Sequence, residues 1–449
     1  MFALQAGALA QLGPTVEPQP PAAQVPGEEP PAPGGKIPPI PPLFLAARSN
    51  DIAAIQRLLG EGVDVNLTMT EGEEWLPGST ALMWAAREGS ASTVEFLLAA
   101  GANPRMRTAD GATALMWAVT FSEQAEKARL LLKAGAEVNT FRREGTPLMC
   151  WAAGFAKDRA VIDLLLDAGA EIEVRMARDG LTPLMVAARS GNTVTIPALL
   201  ARGAKLEARS DKGLTALAYA AEGSTATPAT IALLVDAGAD KDARDAEGST
   251  ALMIAAKKSH ADRAAKLIEL GADVNAVNGR RETALHYSAI VGSVETTLAL
   301  LNAGADPNAK TADGVTPLMV AAMSGEPANV RLLMSRGADV RAVSREGWTA
   351  LLLARQSSTA EPLIEGGADV NVRTVEGWTP AIFAADEGNA YLLRLLAYGG
   401  ADLTVRDRAG NDAMTVARAK LAKNPDSTGH EACIGFLQER LGGGGPPAP

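Results

Sequence analysis

The chain has few aromatic residues, two cysteines, three histidines and no surplus of positive charge. Aromatic residues make up 4% of its 449 residues although hydrophobic residues make up 47%, so any core must be built from Leu, Ala, Val and Met. Cys150 and Cys433 are too few and too far apart for a disulfide framework or a metal-ligand cluster, and we expect two buried thiols. The net charge of −10 disfavours a general nucleic-acid binder, which usually carries a basic surplus.

Sequence signatures of catalysis, bound cofactors and membrane spans are also missing. His260, His286 and His430 lie far apart, so no two of them share the spacing of a metal site. The chain has neither a phosphate-binding glycine loop nor a G-x-S-x-G nucleophile elbow. No apolar run reaches the roughly 20 residues that cross a bilayer. We therefore expect no catalytic residue, no cofactor, no metal and no membrane span, and interpret the protein as a non-enzyme.

Both ends differ in composition from the rest of the chain. Ala8-Leu9-Ala10 has the small-x-small form of a signal-peptidase site, but no basic residue precedes it. Too few apolar residues follow, up to residue 42, to offset the entropy of ordering. We predict a signal remnant and disordered proline-rich tether over 1–42, and a disordered Gly/Pro tail over 442–449. A bacterial protein exported to the periplasm or secreted is the expectation, and a cytoplasmic location is the alternative.

One short pattern recurs along residues 43–441 at intervals of about 33 residues. It is a threonine followed by Pro or Ala and then by Leu or Ala, at Thr80, Thr113, Thr146, Thr182, Thr215, Thr250, Thr283, Thr316, Thr349 and Thr379, with Asp412 in the next slot. A Gly-Ala dipeptide recurs in the same register. This regularity indicates a repeated unit that buries its apolar side by stacking on its neighbours.

The residues of one unit predict two short helices and a projecting turn. Thr316 can cap a helix through its hydroxyl, and Pro317 suits the first helical position. Gly325 would end that helix, because glycine adopts the left-handed conformation at little cost. A second helix is predicted over 328–335, with Val330, Leu332 and Leu333 on its buried side. The segment 339–347 then projects as a hairpin-like turn.

These units resemble the ankyrin repeat, and the match covers essentially all of residues 43–441. The pattern G-x-T-P-L-H-x-A-A, followed by V-x-x-L-L-x-x-G-A-D, is present in nearly every unit. The resemblance implies an all-α solenoid of about 12 helix-turn-helix repeats with hairpin-like loops. Atypical cap repeats are expected at 43–78 and 411–441, with ten internal repeats over 79–410 between them.

The histidine of the ankyrin pattern is replaced in most units of this chain. In the family, that histidine makes structural hydrogen bonds between repeats. Here only His286 retains it, and methionine takes the slot at Met83, Met116, Met149, Met185, Met253 and Met319. We expect thioether packing to replace the hydrogen bonds at those six positions.

The resemblance also implies where a partner binds, because ankyrin proteins typically use hairpin tips and the concave face of the first helices. Trp348 and Trp378 directly precede Thr349 and Thr379, so stacked repeats would place the two indoles about 10 Å apart. Tryptophan is enriched in binding hot spots, but each indole could instead pack over its own turn. Tryptophans inside first helices are interpreted as packing residues: Trp84, Trp117 and Trp151.

A row of basic residues precedes the same threonine slots. Six residues before the slot stand Arg107, Arg209, Arg244, Lys310, Arg373 and Arg406, and Arg345 lies in the turn before Trp348. An acid three residues further on, such as Asp110 after Arg107, predicts ion pairs along each hairpin, worth about 0–1 kcal/mol when exposed. The alternative is a recognition strip for an acidic partner segment.

Three departures from the regular spacing predict local differences. The first hairpin, residues 67–78, is about six residues longer than the others. It places Trp75 on an acidic finger that either contacts a partner or folds back on the first repeat. The short spacing before Thr379 predicts a shortened loop around residues 356–359. Arg280 and Arg281 replace the usual Asp-Gly and predict a turn of a different type.

The leading functional interpretation is a scaffold, monomeric alone, that binds a protein partner. A permanent assembly subunit of a larger complex is the first alternative, and a regulatory partner of a separately encoded enzyme is the second. Surface residues differ widely among proteins of one fold, so the partner's identity does not follow from the fold.

Overall fold

The computed structural model describes residues 40–70, 77–121 and 123–442. These residues form 24 helices, two to each repeat, and their β-structure is limited to two isolated bridges. The helices fall into an N-terminal unit, residues 40–246, and a C-terminal unit, residues 247–442. The predicted all-α architecture of about 12 helix pairs is confirmed. Of the predicted signal remnant and tether over 1–42, residues 1–39 lie outside the described residues. Residues 443–449 of the predicted Gly/Pro tail lie outside them as well.

The N-terminal unit contains six helix pairs. They are α1 (Pro42–Ser49), α2 (Ile52–Gly60), α3 (Ala81–Arg87), α4 (Ala91–Ala99), α5 (Ala114–Ala118), α6 (Gln124–Lys133), α7 (Leu148–Phe155), α8 (Arg159–Asp167), α9 (Pro183–Ser190), α10 (Thr195–Ala201), α11 (Ala216–Glu222) and α12 (Pro228–Asp236).

The C-terminal unit also contains six pairs. They are α13 (Ala251–Lys257), α14 (Ala261–Glu269), α15 (Ala284–Ile290), α16 (Val294–Asn302), α17 (Pro317–Ser324), α18 (Pro327–Ser335), α19 (Ala350–Leu353), α20 (Ser357–Glu365), α21 (Pro380–Asp386), α22 (Ala390–Tyr398), α23 (Ala413–Lys423) and α24 (Thr428–Leu441).

Most first helices begin at the recurrent threonine because its hydroxyl caps them. The Thr316 Oγ1 accepts the backbone N–H of Met319 at 3.4 Å, and Gly325 ends α17 in the left-handed conformation with φ 78°. In the repeat of Thr146, however, α7 begins only at Leu148, because the Leu148 N–H donates to the Thr140 carbonyl at 2.9 Å.

Small residues on the first helices and branched residues on the second helices form the core. Ala321 and Ala322 of α17 are buried, and so are Val330 and Leu333 of α18. Burying one such branched side chain stabilises the fold by about 1.5–3 kcal/mol. Leu332, which was predicted on the buried side, is half-buried.

The methionine slot is not purely a packing position, which corrects the prediction. His286 accepts the Thr283 N–H at Nδ1 (3.2 Å), and its Nε2 donates to the Val315 carbonyl of the next repeat (3.1 Å). In the repeat of Met319, the thioether sulfur accepts the Thr316 N–H at 3.5 Å. A thioether can therefore replace the bond within a repeat, but it has no second polar atom for the bond to the next repeat.

The turn that contains Arg280 and Arg281 keeps the same backbone pattern as its neighbours, so the prediction of a different type is wrong. Asn278 N–H bonds to the Glu282 carbonyl at 3.0 Å, as Thr311 N–H does to Val315. Arg281 occupies the left-handed position with φ 61° where the neighbouring turn has Gly314 with φ 79°. For a residue with a Cβ atom this conformation costs roughly 1–2 kcal/mol.

The short repeat before Thr379 loses residues from its first helix, and the prediction of a shortened loop at 356–359 is wrong. Helix α19 has four residues, whereas α17 has eight. Ala354 is extended and ends α19, and Ser357 already belongs to α20.

Candidate partner-binding surfaces

The turns before α19 and α21 hold the two predicted tryptophans in defined positions. The Trp348 backbone N–H donates to the Ser344 Oγ at 3.0 Å, and the Trp378 N–H donates to the Thr374 Oγ1 at 3.1 Å. Both tryptophans are half-buried. Each indole is therefore fixed at the start of a first helix, with part of its surface still open.

Phe383 of α21 brings the two tryptophans together into what we call the aromatic cluster, Trp348, Trp378 and Phe383. The Phe383 ring centroid lies 5.5 Å from that of Trp348 and 4.8 Å from that of Trp378, with interplanar angles of 43° and 51°. Each such ring pair contributes about 0.5–1.5 kcal/mol beyond area burial. Both indoles therefore pack on the Phe383 ring.

Phe383 was missed at the level of sequence, although a signal existed. It stands four residues after Thr379, in the slot that Trp84 and Trp117 occupy after their own threonines. That slot was interpreted as a packing position. In α21 the ring is half-buried instead, and it belongs to the surface.

Exposed apolar and basic residues stand in the turns that carry the aromatic cluster. Val343 is 48% exposed and Val375 is 51% exposed, one in each turn. Arg345 and Arg373 are exposed in the same two turns. These turns therefore present both apolar and basic side chains to solvent.

In the hairpin of Arg107, the predicted ion pair with Asp110 is replaced by pairs between repeats. Arg107 contacts Glu137 of the next repeat, with Nη2 and Oε2 2.9 Å apart. Asp110 pairs with Arg142. Burial raises the pKa of Asp110, but hydrogen bonds from Thr108 and Arg142 outweigh that effect and hold the pKa below its usual range. Asp110 therefore supports the stack of repeats instead of neutralising Arg107.

Arg209 joins neighbouring turns through backbone carbonyls. Its Nη1 donates to the Gly213 carbonyl at 2.9 Å and to the carbonyl of Arg244 in the next repeat. Arg175, which the spacing did not single out, makes the equivalent contacts to Gly180 at 2.9 Å and to Arg209 at 2.8 Å. Part of this basic row therefore holds the turns in place, and Arg244 itself is exposed.

In the C-terminal unit, the basic row remains exposed to solvent. Lys310 and Arg373 are exposed, and Arg406 lies 3.8 Å from Asp412, measured from Nη2 to Oδ2. The pKa of Asp402 is held below its usual value by hydrogen bonds from Thr404 and by the charge of Arg373. With Arg345, these residues form a row of basic side chains along the turns, and Glu346 and Glu376 are exposed in the same turns as Arg345 and Arg373.

The acidic finger with Trp75 lies outside the described residues, but the base of its hairpin is described. Met69 N–H donates to the Ser79 carbonyl at 3.0 Å, and Gly78 N–H donates to the Met69 carbonyl at 2.8 Å. The longer first hairpin is therefore paired at its base.

The tryptophans inside first helices do not all behave alike. Trp84 is 3% exposed and packs edge-on against Phe44, which agrees with the predicted packing role. Trp117 and Trp151 are half-buried. The Arg87 guanidinium carbon lies 5.0 Å from the Trp117 ring centroid, and that of Arg142 lies 4.7 Å from the Trp151 ring centroid. These two indoles form part of the surface of the N-terminal unit.

Metal sites, reactive thiols and membrane-spanning helices are three further features that bear on function. They hold no group of three or more His, Cys, Asp or Glu side chains that could bind a metal ion. Burial raises the pKa of the Cys150 thiol to about 12 and that of Cys433 to about 11. Among the 24 helices described, none combines the length and apolar character needed to cross a membrane.

Comparison with known proteins identifies ankyrin repeats along most of the chain. A family described as ankyrin repeats (3 copies) matches residues 43–142, 148–245, 224–311, 266–344, 300–374 and 318–407. A mitochondrial disaggregase from Bos taurus is 47% identical over 64 residues. That similarity covers 14% of this chain and 9% of the disaggregase.

Proposed function

Because this chain belongs to the ankyrin repeat family, whose repeats are generally protein-protein interaction modules and whose fold is typically non-catalytic, we propose that it is a non-catalytic scaffold protein. It binds a protein partner through the turns and first helices of its C-terminal unit.

The observation that carries this proposal is the aromatic cluster. Trp348 and Trp378 are held by backbone bonds in their turns and by contact with Phe383. Binding therefore orders them at little additional entropic cost, and such preorganised tryptophans make strong interface anchors. Their half-buried rings leave apolar area for a partner to cover.

The surrounding residues indicate the chemistry of the partner segment. Val343 and Val375 extend the apolar area, and Arg345 and Arg373 are exposed in the same turns. We infer a partner segment with an apolar anchor and acidic flanking residues. Positive charge at the rim of such a surface mainly speeds association and selects the partner, while the apolar centre supplies most of the affinity.

The test is affinity purification from the native source with the tagged full-length chain. We expect the wild-type chain to recover a partner and Trp348→Ala/Trp378→Ala to lose it by a factor of ten or more, since hot-spot residues contribute about 2 kcal/mol or more each. Tyr391→Ala/Tyr398→Ala is the matched control, because these tyrosines are 66% and 71% exposed on α22 and lie outside the cluster. That control should retain the partner.

A second variant separates loss of binding from loss of folding. Arg345→Glu changes an exposed side chain in the turn before Trp348. It should weaken capture of an acidic partner while circular dichroism and the thermal midpoint stay at wild-type values. If the tryptophan pair and Arg345→Glu both retain every partner that the wild type recovers, the C-terminal unit is not the binding surface.

A further inference from the structure

The N-terminal unit has an open groove of about 820 Å³ beside the turn that joins α5 to α6. Its lining residues come from the starts of α4 and α6, from the turn after α5 and from the segment before α8, and they include Phe121, Glu123, Gln124, Glu126, Lys157 and Asp158. The volume is within the range of about 300–1,000 Å³ that is typical of ligand sites.

One hydrogen-bond donor of a lining residue lacks an acceptor among the described residues. Gln124 is 5% exposed, and its Oε1 accepts the Lys157 N–H at 2.8 Å, but its Nε2 has no partner. A buried donor left unpaired costs about 1–3 kcal/mol, so an occupant that supplies carbonyl oxygens would be stabilised here.

Phe121 supplies an aromatic ring to the lining of the groove, and further aromatic residues contact Phe121 and Thr120. Phe121 stacks on Trp117 with centroids 6.3 Å apart. Trp151 donates from Nε1 to the Thr120 Oγ1 at 2.8 Å and packs on Phe155, which is 50% exposed. Aromatic-lined grooves with donors directed at peptide carbonyls suit extended proline-rich segments.

The charged residues at the groove favour neither a positively nor a negatively charged occupant. The carboxylates of Glu123, Glu126 and Asp158 are matched by three cations at or beside the groove: the buried Lys127, Arg129 and Lys157. An occupant with few charges therefore fits better than a strongly basic or acidic one.

The chain itself contains such a segment before the first helix. Residues 14–39 hold ten prolines, and their only charged residues are Glu17, Glu28, Glu29 and Lys36. In polyproline II form, 26 residues would span about 80 Å at about 3.1 Å per residue. Phe121 lies two repeats beyond α1, and the first helices α1, α3 and α5 pack side by side. At about 10 Å per repeat plus one helix length of about 12 Å, the segment is long enough to reach the groove.

We propose that the proline-rich segment of residues 14–39 binds in the groove of the N-terminal unit of its own chain. Its prolines pack on Phe121, and one of its carbonyl oxygens accepts from the Gln124 Nε2. Any external proline-rich ligand must displace it. This inference concerns a surface separate from the aromatic cluster and does not depend on the proposed function.

The test uses the full chain labelled with 5-fluorotryptophan and observed by fluorine NMR. The variant Pro26→Ser/Pro30→Ser/Pro31→Ser/Pro33→Ser weakens the segment without touching the described helices. We expect the Trp117 and Trp151 resonances to shift by more than their linewidth, while those of Trp348 and Trp378 stay unchanged. The same substitutions at Pro446, Pro447 and Pro449 are the matched control and should shift none of them.

Two further measurements decide between occupants. A synthetic peptide of residues 14–39, added to the Pro→Ser variant, should restore the wild-type resonance positions. Dilution of the wild-type chain should leave those positions unchanged, because a tethered segment binds at a fixed effective concentration. Identical Trp117 and Trp151 resonances in the wild type and the variant would overturn the proposal. A shift that disappears on dilution would overturn it as well, because it would assign the groove to a second copy.

Discussion

At the scale of single residues, the histidine slot shows how one side chain sets the polar connections of a repeat. His286 is 1% exposed and bonds both to Thr283 and to the next repeat. Burial lowers the pKa of His286 from 6.5 to about 4. The six methionines in equivalent positions have no titratable group. The repeat of His286 therefore responds to acid differently from the repeats that contain those methionines.

A dependence of stability on pH follows from His286. The unfolded chain binds this proton below about pH 6.5, and the folded chain binds it only below about pH 4. Protonation therefore favours unfolding, and the free energy of unfolding decreases as the pH falls from 6.5 to 4. The contribution of this group is on the order of 3 kcal/mol. Above pH 6.5 the contribution of His286 to the free energy of unfolding is fully present and constant.

The variant His286→Met tests this prediction with a residue that the chain already uses in the same slot. Urea unfolding at several pH values should show a smaller loss of stability between pH 6.5 and 4 than in the wild type. At pH 7.5 the variant should be less stable by about 1 kcal/mol, because it loses the bond to the Val315 carbonyl. Equal slopes for both proteins in the acid window would contradict the assignment of the pKa shift to His286.

At the scale of elements, turns and caps show which local features follow from sequence. The threonine caps and the glycines that end helices act within one turn of chain, so the residues around Thr316 predicted α17 well. The early end of α19 at Ala354 and the late start of α7 at Leu148 were not predicted. In α7 the cause is a bond to Thr140, which lies outside the helix.

The turn at Arg281 provides a prediction about strain. Arg281 has φ 61° in a position where neighbouring turns have glycine. Replacing it with glycine should raise the free energy of unfolding by about 1 kcal/mol, because the strain exceeds the extra entropy that glycine gives the unfolded chain. Urea or thermal unfolding measures the change.

The neighbouring residue is the control for this substitution. Arg280 is not among the residues with positive φ, so Arg280→Gly should leave stability unchanged or lower it. If Arg281→Gly also lowers the unfolding midpoint, contacts of the Arg281 side chain outweigh the backbone strain.

At the scale of the whole molecule, each unit contains one buried thiol. Cys150 belongs to the N-terminal unit and Cys433 to the C-terminal unit, and burial raises the pKa of both, to about 12 and about 11. Since the thiolate is the reactive form, the folded protein should react slowly with a thiol reagent at pH 8. Both thiols should react at once in guanidinium chloride.

Single-cysteine variants extend this measurement to each unit. With Cys433→Ala, labelling reports opening of the N-terminal unit, and with Cys150→Ala it reports opening of the C-terminal unit. Rapid labelling of either thiol in the native protein would contradict the burial of that residue.

The sequence predicted two of the three residues of the aromatic cluster and missed the third. Trp348 and Trp378 were predicted as binding residues because each directly precedes a recurrent threonine, and the sequence shows that position. Phe383 could not be separated from Trp84 by register alone, since both stand four residues after a threonine. Their burial differs because different neighbours cover them.

The repeat itself, the number of helix pairs and the threonine and glycine positions that bound them followed from the sequence. Each depends on interactions within a few residues, and the regular spacing repeats that local signal along the chain. Only the tertiary structure decided that Arg107 pairs with Glu137, that Arg209 bonds the next turn and that Phe383 joins the aromatic cluster. The contacts of Arg107 with Glu137, of Arg209 with Arg244 and of Trp348 with Phe383 join residues about one repeat apart. In stacked repeats the outcome depends on which side chains of two neighbours meet, and residue spacing within a single repeat carries no information about that.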